Sequence, residues 1–303
     1  MKNSKVAILL STYNGEKYLR EQIDSLISQT YSNIDIYIRD DGSTDNTVNI
    51  IEEYKTKYHN IYLEKGENVG FIKSFFQLLE MNDSADIYSY CDQDDVWEYD
   101  KIERAVEFIC NADNKKPVLY FSNSDYYDAN MNFIGHAERK KIYNFRNSLV
   151  ECVSQGMTMC INKTARNIMV KNIPRSTLYH DWWTYMICSG FGQVIYDEKS
   201  EVKYRRHTSS VTAEGMDFFK LQIWRIKKFL FGDSLKQIKK QIIEFSKLYR
   251  QNLNEEDKKL IDLFTREKYN FFIAIKKTFY PKKFRRKVLD DIVVRLLFLI
   301  GKL

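Results

Sequence analysis

The chain has 303 residues, 44% of them hydrophobic and 15% aromatic, enough for one large or two modest domains with a packed core. Three prolines and eleven glycines argue against long disordered linkers, and no internal period marks a repeat array. The net charge of +6 is uneven: residues 220–303 carry 22 Lys and Arg against 9 Asp and Glu, residues 1–219 carry 25 against 32, so an acidic body precedes a basic, aromatic tail suited to an anionic surface.

The N-terminus runs directly into the apolar stretch Val6–Leu10, too short for a signal-peptide core and followed by no small-residue cleavage site. No apolar stretch reaches the roughly 18 residues of a membrane-spanning helix. The five cysteines, Cys91, Cys110, Cys152, Cys160 and Cys188, are odd in number and form no CxxC pair. They read as reduced thiols of a cytoplasmic protein and offer no zinc site.

Val6–Leu10 reads as a buried parallel strand, ending in the turn Ser11-Thr12-Tyr13-Asn14-Gly15. Tyr18, Ile23, Leu26 and Ile27 then fall on one helical face. Ile34–Ile38 alternates as a second strand and ends in Arg39-Asp40-Asp41-Gly42-Ser43-Thr44-Asp45. Ser43, Thr44 or Asp45 can cap the helix that starts near Asn46. A short strand at Ile61–Leu63 leads through Gly66-Glu67-Asn68-Val69-Gly70 into a helix carrying Phe71, Phe75, Leu78 and Leu79. Ile87–Tyr90 is the fourth strand, and Val118–Phe121 the fifth, after a helix with Ile102, Val106 and Ile109. This alternation predicts an α/β fold with a mostly parallel, doubly wound sheet, whose ligands bind beyond the carboxyl ends of the strands. Beyond residue 121 the pattern is less regular. A strand is expected over Gly156–Ile161, helices over Thr164–Val170 and from His180, and strands over Gln193–Tyr196 and Val202–His207. From Asp217 onward the reading is helical, with a domain boundary near Glu214–Gly215, giving domains 1–215 and 216–303.

The fourth strand runs into the octet Tyr90-Cys91-Asp92-Gln93-Asp94-Asp95-Val96-Trp97. Three carboxylates within four positions repel one another unless a positive group lies between them. A hard divalent cation with oxygen ligands answers that need, and such sites leave room for substrate phosphates. A solvated acidic turn is the plain alternative. The polar ends of strands one, two and four should converge on one crevice, which favours the site.

Taken together, Ser11-Thr12-Tyr13-Asn14, Asp40–Asp45 and Asp92-Gln93-Asp94-Asp95, in this order and at these spacings, resemble the inverting family 2 glycosyltransferases of GT-A fold. The resemblance covers residues 5 to 212. His180-Asp181-Trp182-Trp183 and Tyr204-Arg205-Arg206-His207 add a narrower similarity to bacterial rhamnosyltransferases, which use dTDP-L-rhamnose to build cell-surface polysaccharide. The resemblance implies that Ser11 and Tyr13 bound the nucleotide base, with Tyr13 stacking on it, and that Asp41, with Asp40, accepts from the base N3–H. It implies that Asp94 binds Mn²⁺ or Mg²⁺, that Asp92 faces the ribose or diphosphate, and that Asp95 shares either role. His207 falls at a further metal or diphosphate contact, Asp181 at the catalytic base, and Asn68 and Gly70 in a loop bordering the donor. The chain departs from the family pattern in having one carboxylate, in His180-Asp181, where a pair is usual. It also lacks the Gln-x-x-Arg-Trp motif of processive synthases.

Inverting transfer is one displacement at the anomeric carbon, needing a base at the acceptor hydroxyl and charge stabilisation at the leaving diphosphate. Trp182 and Trp183 could desolvate Asp181 or stack on sugars, while a first-turn or N-cap role is the plain reading of an Asp there. Arg205 and Arg206 could bind diphosphate or lie on a solvated strand. His59 and His136 have no context. The tail interleaves Phe218, Leu221, Trp224, Phe229 and Leu230 with basic residues, and continues as the basic-aromatic run Lys276–Lys287 and the apolar segment Ile292–Ile300. This suits the anionic inner face of the cell membrane. A packed helical subdomain or a homo-oligomer interface are the competing readings, and no nucleic-acid module is present. The resemblance to rhamnosyltransferases implies dTDP-L-rhamnose as donor and a lipid-linked saccharide as acceptor. The alternatives are a UDP-hexose or UDP-N-acetylhexosamine donor, an aspartyl-phosphate phosphatase, whose DxD motif would end the first strand, and a non-catalytic membrane scaffold.

Overall fold

The computed structural model describes residues 3–138, 142–206, 234–266 and 268–303. In chain order the elements are β1 (Val6–Thr12), α1 (Leu19–Ile27), β2 (Ile34–Asp40), α2 (Thr47–Lys57), β3 (Ile61–Lys65), α3 (Phe71–Met81), β4 (Ile87–Cys91), β5 (Val96–Trp97), α4 (Lys101–Cys110), β6 (Val118–Tyr127) and β7 (Phe133–His136). They continue with α5 (Phe145–Ser148), β8 (Met159–Asn162), α6 (Lys163–Lys171), α7 (His180–Phe191), β9 (Gln193–Arg205), α8 (Ser234–Tyr249), α9 (Glu255–Asp262), α10 (Phe271–Thr278) and α11 (Val288–Leu299).

The apolar run at the N-terminus becomes the strand on which the sheet is built. Val6, Ala7, Ile8, Leu9 and Leu10 are all fully buried, and β1 pairs in parallel with both β2 and β4. Each large aliphatic side chain so buried stabilises the fold by about 1.5–3 kcal/mol. The strand order is β3-β2-β1-β4-β8-β6-β9-β5, with β7 paired to β6. The first four strands are parallel, as the β-α alternation predicts. Beyond β4 the sheet is mixed: β8 is antiparallel to β4 and β6, while β6 and β9 are parallel. Two antiparallel steps point β6 the same way as β4. The carboxyl ends of β1, β2, β4, β6 and β9 therefore share one edge.

The strands expected over Gln193–Tyr196 and from Val202 are one long strand, Gln193–Arg205. Its ladder with β6 shifts register opposite Ser122–Ser124, where the charged run Asp197–Glu201 interrupts the apolar pattern. Compactness divides the chain into a sheet unit, Met1–Arg139, Ser154–Ile173 and Gly192–His207, and a helical unit, Lys140–Val153, Pro174–Phe191 and Thr208–Leu303. The expected boundary near Glu214–Gly215 lies outside the described residues.

Within the helical unit, Trp183, Phe245, Tyr249, Phe145 and Phe191 form one aromatic cluster, with ring centroids 5.3–6.4 Å apart. Phe264, Phe284 and Phe298 form a second, at 5.2–5.8 Å. Arg295 locks α10 to α11: it donates to Asp291 Oδ2 at 2.8 Å, to the Tyr280 carbonyl at 2.9 Å and to the Lys282 carbonyl at 3.0 Å.

In the sheet unit, α4 is fastened to β9 by charge. Arg104 Nη2 lies 2.7 Å from Asp197 Oδ2, and Arg104 Nε and Lys199 Nζ each lie 3.1 Å from Glu201 Oε1. Burial of Glu201 outweighs these attractions and pushes its carboxyl up to about 7, with Lys199 opposing and Asp100 adding to the shift. A raised folded-state value makes this group's contribution complete below the ordinary 4.5 and lost as pH rises through about 7. Glu201→Gln cannot ionise. Between pH 4.5 and 8 its stability, from denaturant unfolding, should rise relative to the parent by on the order of 3 kcal/mol. A pH-independent difference would contradict the buried, titrating carboxyl.

Candidate active site

Three strand-end loops are laced together at the shared edge. The turn after β1 meets the turn after β2: the Asp41 N–H donates to the Thr12 carbonyl at 2.8 Å, the Asn14 N–H to Ser43 Oγ at 2.9 Å, and the Gly15 N–H to Thr47 Oγ1 at 2.7 Å. Asn14 takes a left-handed conformation, φ 48°, and its Oδ1 accepts from the Thr44 N–H at 2.8 Å. Gln93 brings in the acidic octet. Its side chain accepts from the Tyr13 N–H at 2.8 Å and donates to the Tyr13 carbonyl at 3.0 Å. A Cβ at Gly15 would come within 2.3 Å of Gln93 Oε1, so only glycine admits this approach. Gln93 stood in the octet between two acids, and its role was not read from the sequence.

The acids of the second strand end are turned inward. Asp40 is buried, accepting from Thr12 Oγ1 at 3.1 Å, Ser43 Oγ at 2.5 Å and the Ser43 N–H at 2.9 Å. Asp41 is buried as well. It accepts from Arg39 Nη1 at 2.5 Å and from the Val69 and Gly70 N–H groups at 2.9 and 2.8 Å. About three of the four acceptor positions of the Asp41 carboxylate are thus used, fastening the 66–70 loop to β2. In that loop Asn68 is exposed, and its Oδ1 accepts from the Gly70 N–H at 3.2 Å. Ser11 Oγ pairs with Ser74 Oγ at 2.7 Å. Tyr13 is an exposed aromatic side chain on the rim.

The octet itself is graded in depth. Asp92, Gln93 and Asp94 are half-buried and Asp95 is fully buried. Arg205, at the end of β9, organises them. Its N–H donates to Asp95 Oδ1 at 3.0 Å, its Nε to the Asp94 carbonyl at 2.8 Å, its Nη1 to the Ala129 carbonyl at 3.0 Å, and its Nη2 pairs with Glu21 at 2.6 Å. The guanidinium also lies 4.4 Å from the Tyr18 ring centroid. Buried and fully engaged, Arg205 is therefore a structural clamp and not a diphosphate ligand. Arg206 is half-buried, stacked 4.4 Å over Tyr126, and its Nε has no hydrogen-bond partner among the described residues. Below the octet, buried Lys101 lies 3.7 Å from the centroid of Trp97 and donates to Ser89 Oγ at 3.3 Å. Lys101 and Glu21 carried no signal in the sequence.

Burial, then the charges of Asp94 and Asp92, push the Asp95 carboxyl well above the usual range, with Arg205 opposing only in part. Asp95 Oδ2 is buried without a hydrogen-bond partner among the described residues. Neighbouring carboxyl groups whose like charges raise Asp95 are hard oxygen donors of the kind a divalent cation takes. Among the described residues no three His, Cys, Asp or Glu side chains converge on one point. The donor set accordingly suits an ion held by one or two carboxylates and completed by substrate phosphates. His207 lies outside the described residues.

Asp181 belongs to the helical unit. It lies in the first turn of α7, half-buried, and its Oδ1 accepts from the Trp182 N–H at 2.7 Å. Trp182 and Trp183 are both buried, Trp182 donating through Nε1 to the Ser148 carbonyl at 2.6 Å. They are core of this unit and not exposed sugar platforms. Burial pulls the neighbouring His180 down to about 3, so it stays neutral.

Residues 7–170 match the family model described as glycosyl transferase family 2. The chain is 30% identical over 230 residues to the dTDP-rhamnosyl transferase RfbG of Shigella flexneri, a match covering 69% of this chain and 75% of that protein. It is 28% identical over 216 residues to an uncharacterized glycosyltransferase of Rickettsia typhi, covering 68% and 65%. Among solved structures, S. aureus TarS 1–349 superposes with a TM-score of 0.61 at 16% identity, covering 98% of this chain and 79% of that one. The mannosyltransferase PcManGT from Pyrobaculum calidifontis, in complex with GDP-Man and Mn²⁺, gives a TM-score of 0.56 at 14% identity, covering 98% and 74%. These two likenesses establish the fold, in agreement with the expected GT-A arrangement of a mixed sheet flanked by helices. The family match over more than half of the chain carries the assignment: this chain belongs to glycosyl transferase family 2.

Proposed function

We propose that this glycosyltransferase is metal-dependent and inverting, and that it transfers L-rhamnose from dTDP-L-rhamnose to a lipid-linked saccharide of a cell-surface polysaccharide. The observation that carries the reading is the octet, clamped by Arg205 at the edge where the loops after β1, β2 and β4 are hydrogen-bonded together. The rhamnosyl donor is supported by the relative whose name states dTDP-rhamnosyl transfer. The metal is supported by the charge imbalance at Asp95 and by the Mn²⁺ in the PcManGT complex.

On this reading Tyr13 and Ser11 border the thymine, and Asp41, braced by Asp40, uses its remaining acceptor position for the base N3–H. Asn68 lines the donor. Asp94 would hold the cation with His207, Asp92 would face the ribose or diphosphate, and Asp95 would share either role. When bound, the cation neutralises charge developing on the leaving diphosphate, and Arg206 supplies a further positive contact. Asp181 takes the proton of the acceptor hydroxyl as it attacks the anomeric carbon.

The helical unit supports placing the enzyme on the inner face of the membrane. Along α11 the exposed or half-exposed Val288, Leu289, Ile292, Val293, Leu296 and Ile300 are all apolar, although the opposite face already packs inward through Val294, Leu297 and Phe298. Residues 268–303 also carry ten Lys and Arg against two acids, and those at the surface would each add about 1 kcal/mol at an anionic bilayer. No described helix is long and apolar enough to cross a membrane.

Donor hydrolysis without acceptor, measured with Mn²⁺ across a panel of nucleotide sugars, should be fastest for dTDP-L-rhamnose. Faster hydrolysis of UDP-N-acetylglucosamine would reassign the donor. With a saccharide acceptor present, Asp181→Asn should keep donor affinity and lose about 10²-fold or more of transfer, whereas lost donor affinity would move Asp181 to the donor pocket. Replacing Leu289 and Leu296 together by Gln should weaken sedimentation with phosphatidylglycerol vesicles at low salt. Unchanged sedimentation would leave this face to an interface between copies of the chain.

A further inference from the structure

His136, which had no context in the sequence, acquires one in the sheet unit. Its Nδ1 lies 2.9 Å from Asp125 Oδ1, and the same oxygen accepts from Ser200 Oγ at 2.6 Å. The imidazole is 75% exposed and its ring centroid is 4.8 Å from that of Phe133, which is itself 50% exposed. Phe133 meets the half-buried Tyr127 edge-on at 5.7 Å. The exposed ring of Phe133 thus stands beside an imidazole, a carboxylate and a hydroxyl contributed by the β6–β7 hairpin and β9.

Two features make this a built surface. The hairpin turn is held by Asp128, whose Oδ1 accepts from the Asn130 and Asn132 N–H groups, both at 2.9 Å, with Met131 in the left-handed region at φ 61°. The turn is also tied to the octet, because Arg205 donates both to the Ala129 carbonyl and to the Asp94 carbonyl. The hairpin turn and the acidic octet are therefore both bonded to one buried side chain.

We propose that this hairpin is the subsite for the acceptor, a neutral pyranoside whose ring lies on Phe133 while its hydroxyls bond to Asp125 and His136. A pyranose has an apolar C–H face and a polar rim. An aromatic ring beside fixed polar groups matches both. The apolar part, Phe133 and Ile134, is small and closely edged by polar groups, which suits one sugar ring better than the large apolar patches that mark protein partners. The hairpin that carries this surface is fastened to the acidic octet through Arg205, which sets the two on neighbouring loops of the sheet unit. The inference rests on the glycosyl-transfer reading with a saccharide acceptor.

The test is saturation-transfer NMR with methyl α-L-rhamnoside, methyl β-galactoside and methyl β-N-acetylglucosaminide, on the whole chain and on Phe133→Ala, Phe133→Trp and His136→Gln. At least one glycoside should receive saturation from the parent protein. Phe133→Ala should reduce it at least fivefold, Phe133→Trp should restore it, and His136→Gln should reduce it. Hydrolysis of dTDP-L-rhamnose without acceptor should stay unchanged in all three. Equal saturation in Phe133→Ala, or none in the parent protein, overturns the subsite. Failure of the parent to hydrolyse any nucleotide sugar would instead strike at the donor reading, so the two failures remain distinct.

Discussion

The site depends on one buried guanidinium. Arg205 joins four separate pieces of the sheet unit: the octet after β4, the turn of the β6–β7 hairpin, α1 through Glu21, and its own strand β9. Its five donors in a planar fork suit this task, and the single ammonium of lysine does not. Arg205 Nε and Nη1 donate to part-buried backbone carbonyls, which would be left without this donor if the guanidinium were removed, so the clamp matters for stability as well as geometry. Its more specific consequence is electrostatic. Arg205 opposes, without cancelling, the repulsion that pushes the Asp95 carboxyl upward. The octet is held in shape while still short of positive charge, which is the condition a bound cation would relieve.

The remaining acids divide the work. Asp40 and Asp41 look in sequence like a second acidic site, yet their hydrogen bonds go to Thr12, Ser43, Arg39 and the 66–70 loop. They fix the wall of the crevice, and the proposed base contact uses what is left of Asp41. Gln93 does the same for the opposite wall by pinning the turn at Tyr13. Rigid loops held by saturated polar groups are what precise placement of a nucleotide requires.

Much of this was legible in the sequence because a parallel sheet announces itself by alternation. β1 to β4, the helices between them and the convergence of three strand-end loops follow from apolar runs and turn residues alone. The second half was less legible. β8 and β9 return to the sheet without a helical period to mark their direction, and the charged run at 197–201 splits one strand into two apparent ones. Arg205 and Arg206 were indistinguishable by composition. Consecutive residues at a strand end face opposite sides, and only the fold decides that Arg205 points in while Arg206 lies over Tyr126. Trp182 and Trp183 misled for the converse reason: aromatic residues beside an acid suggest a sugar platform, but helix α7 buries both. His136 needed its partner Asp125, eleven positions away across a hairpin.

The family assignment and the fold leave the chemistry of the octet as the central claim. It is tested most directly by calorimetry of dTDP binding, with Mn²⁺ and with EDTA, in the parent protein and in Asp94→Asn. The account predicts that Mn²⁺ tightens dTDP binding in the parent by about tenfold or more, about 1.4 kcal/mol. It also predicts that Asp94→Asn loses this increment while keeping its affinity in EDTA. Binding of dTDP that is indifferent to Mn²⁺, or an increment that survives Asp94→Asn, would contradict it.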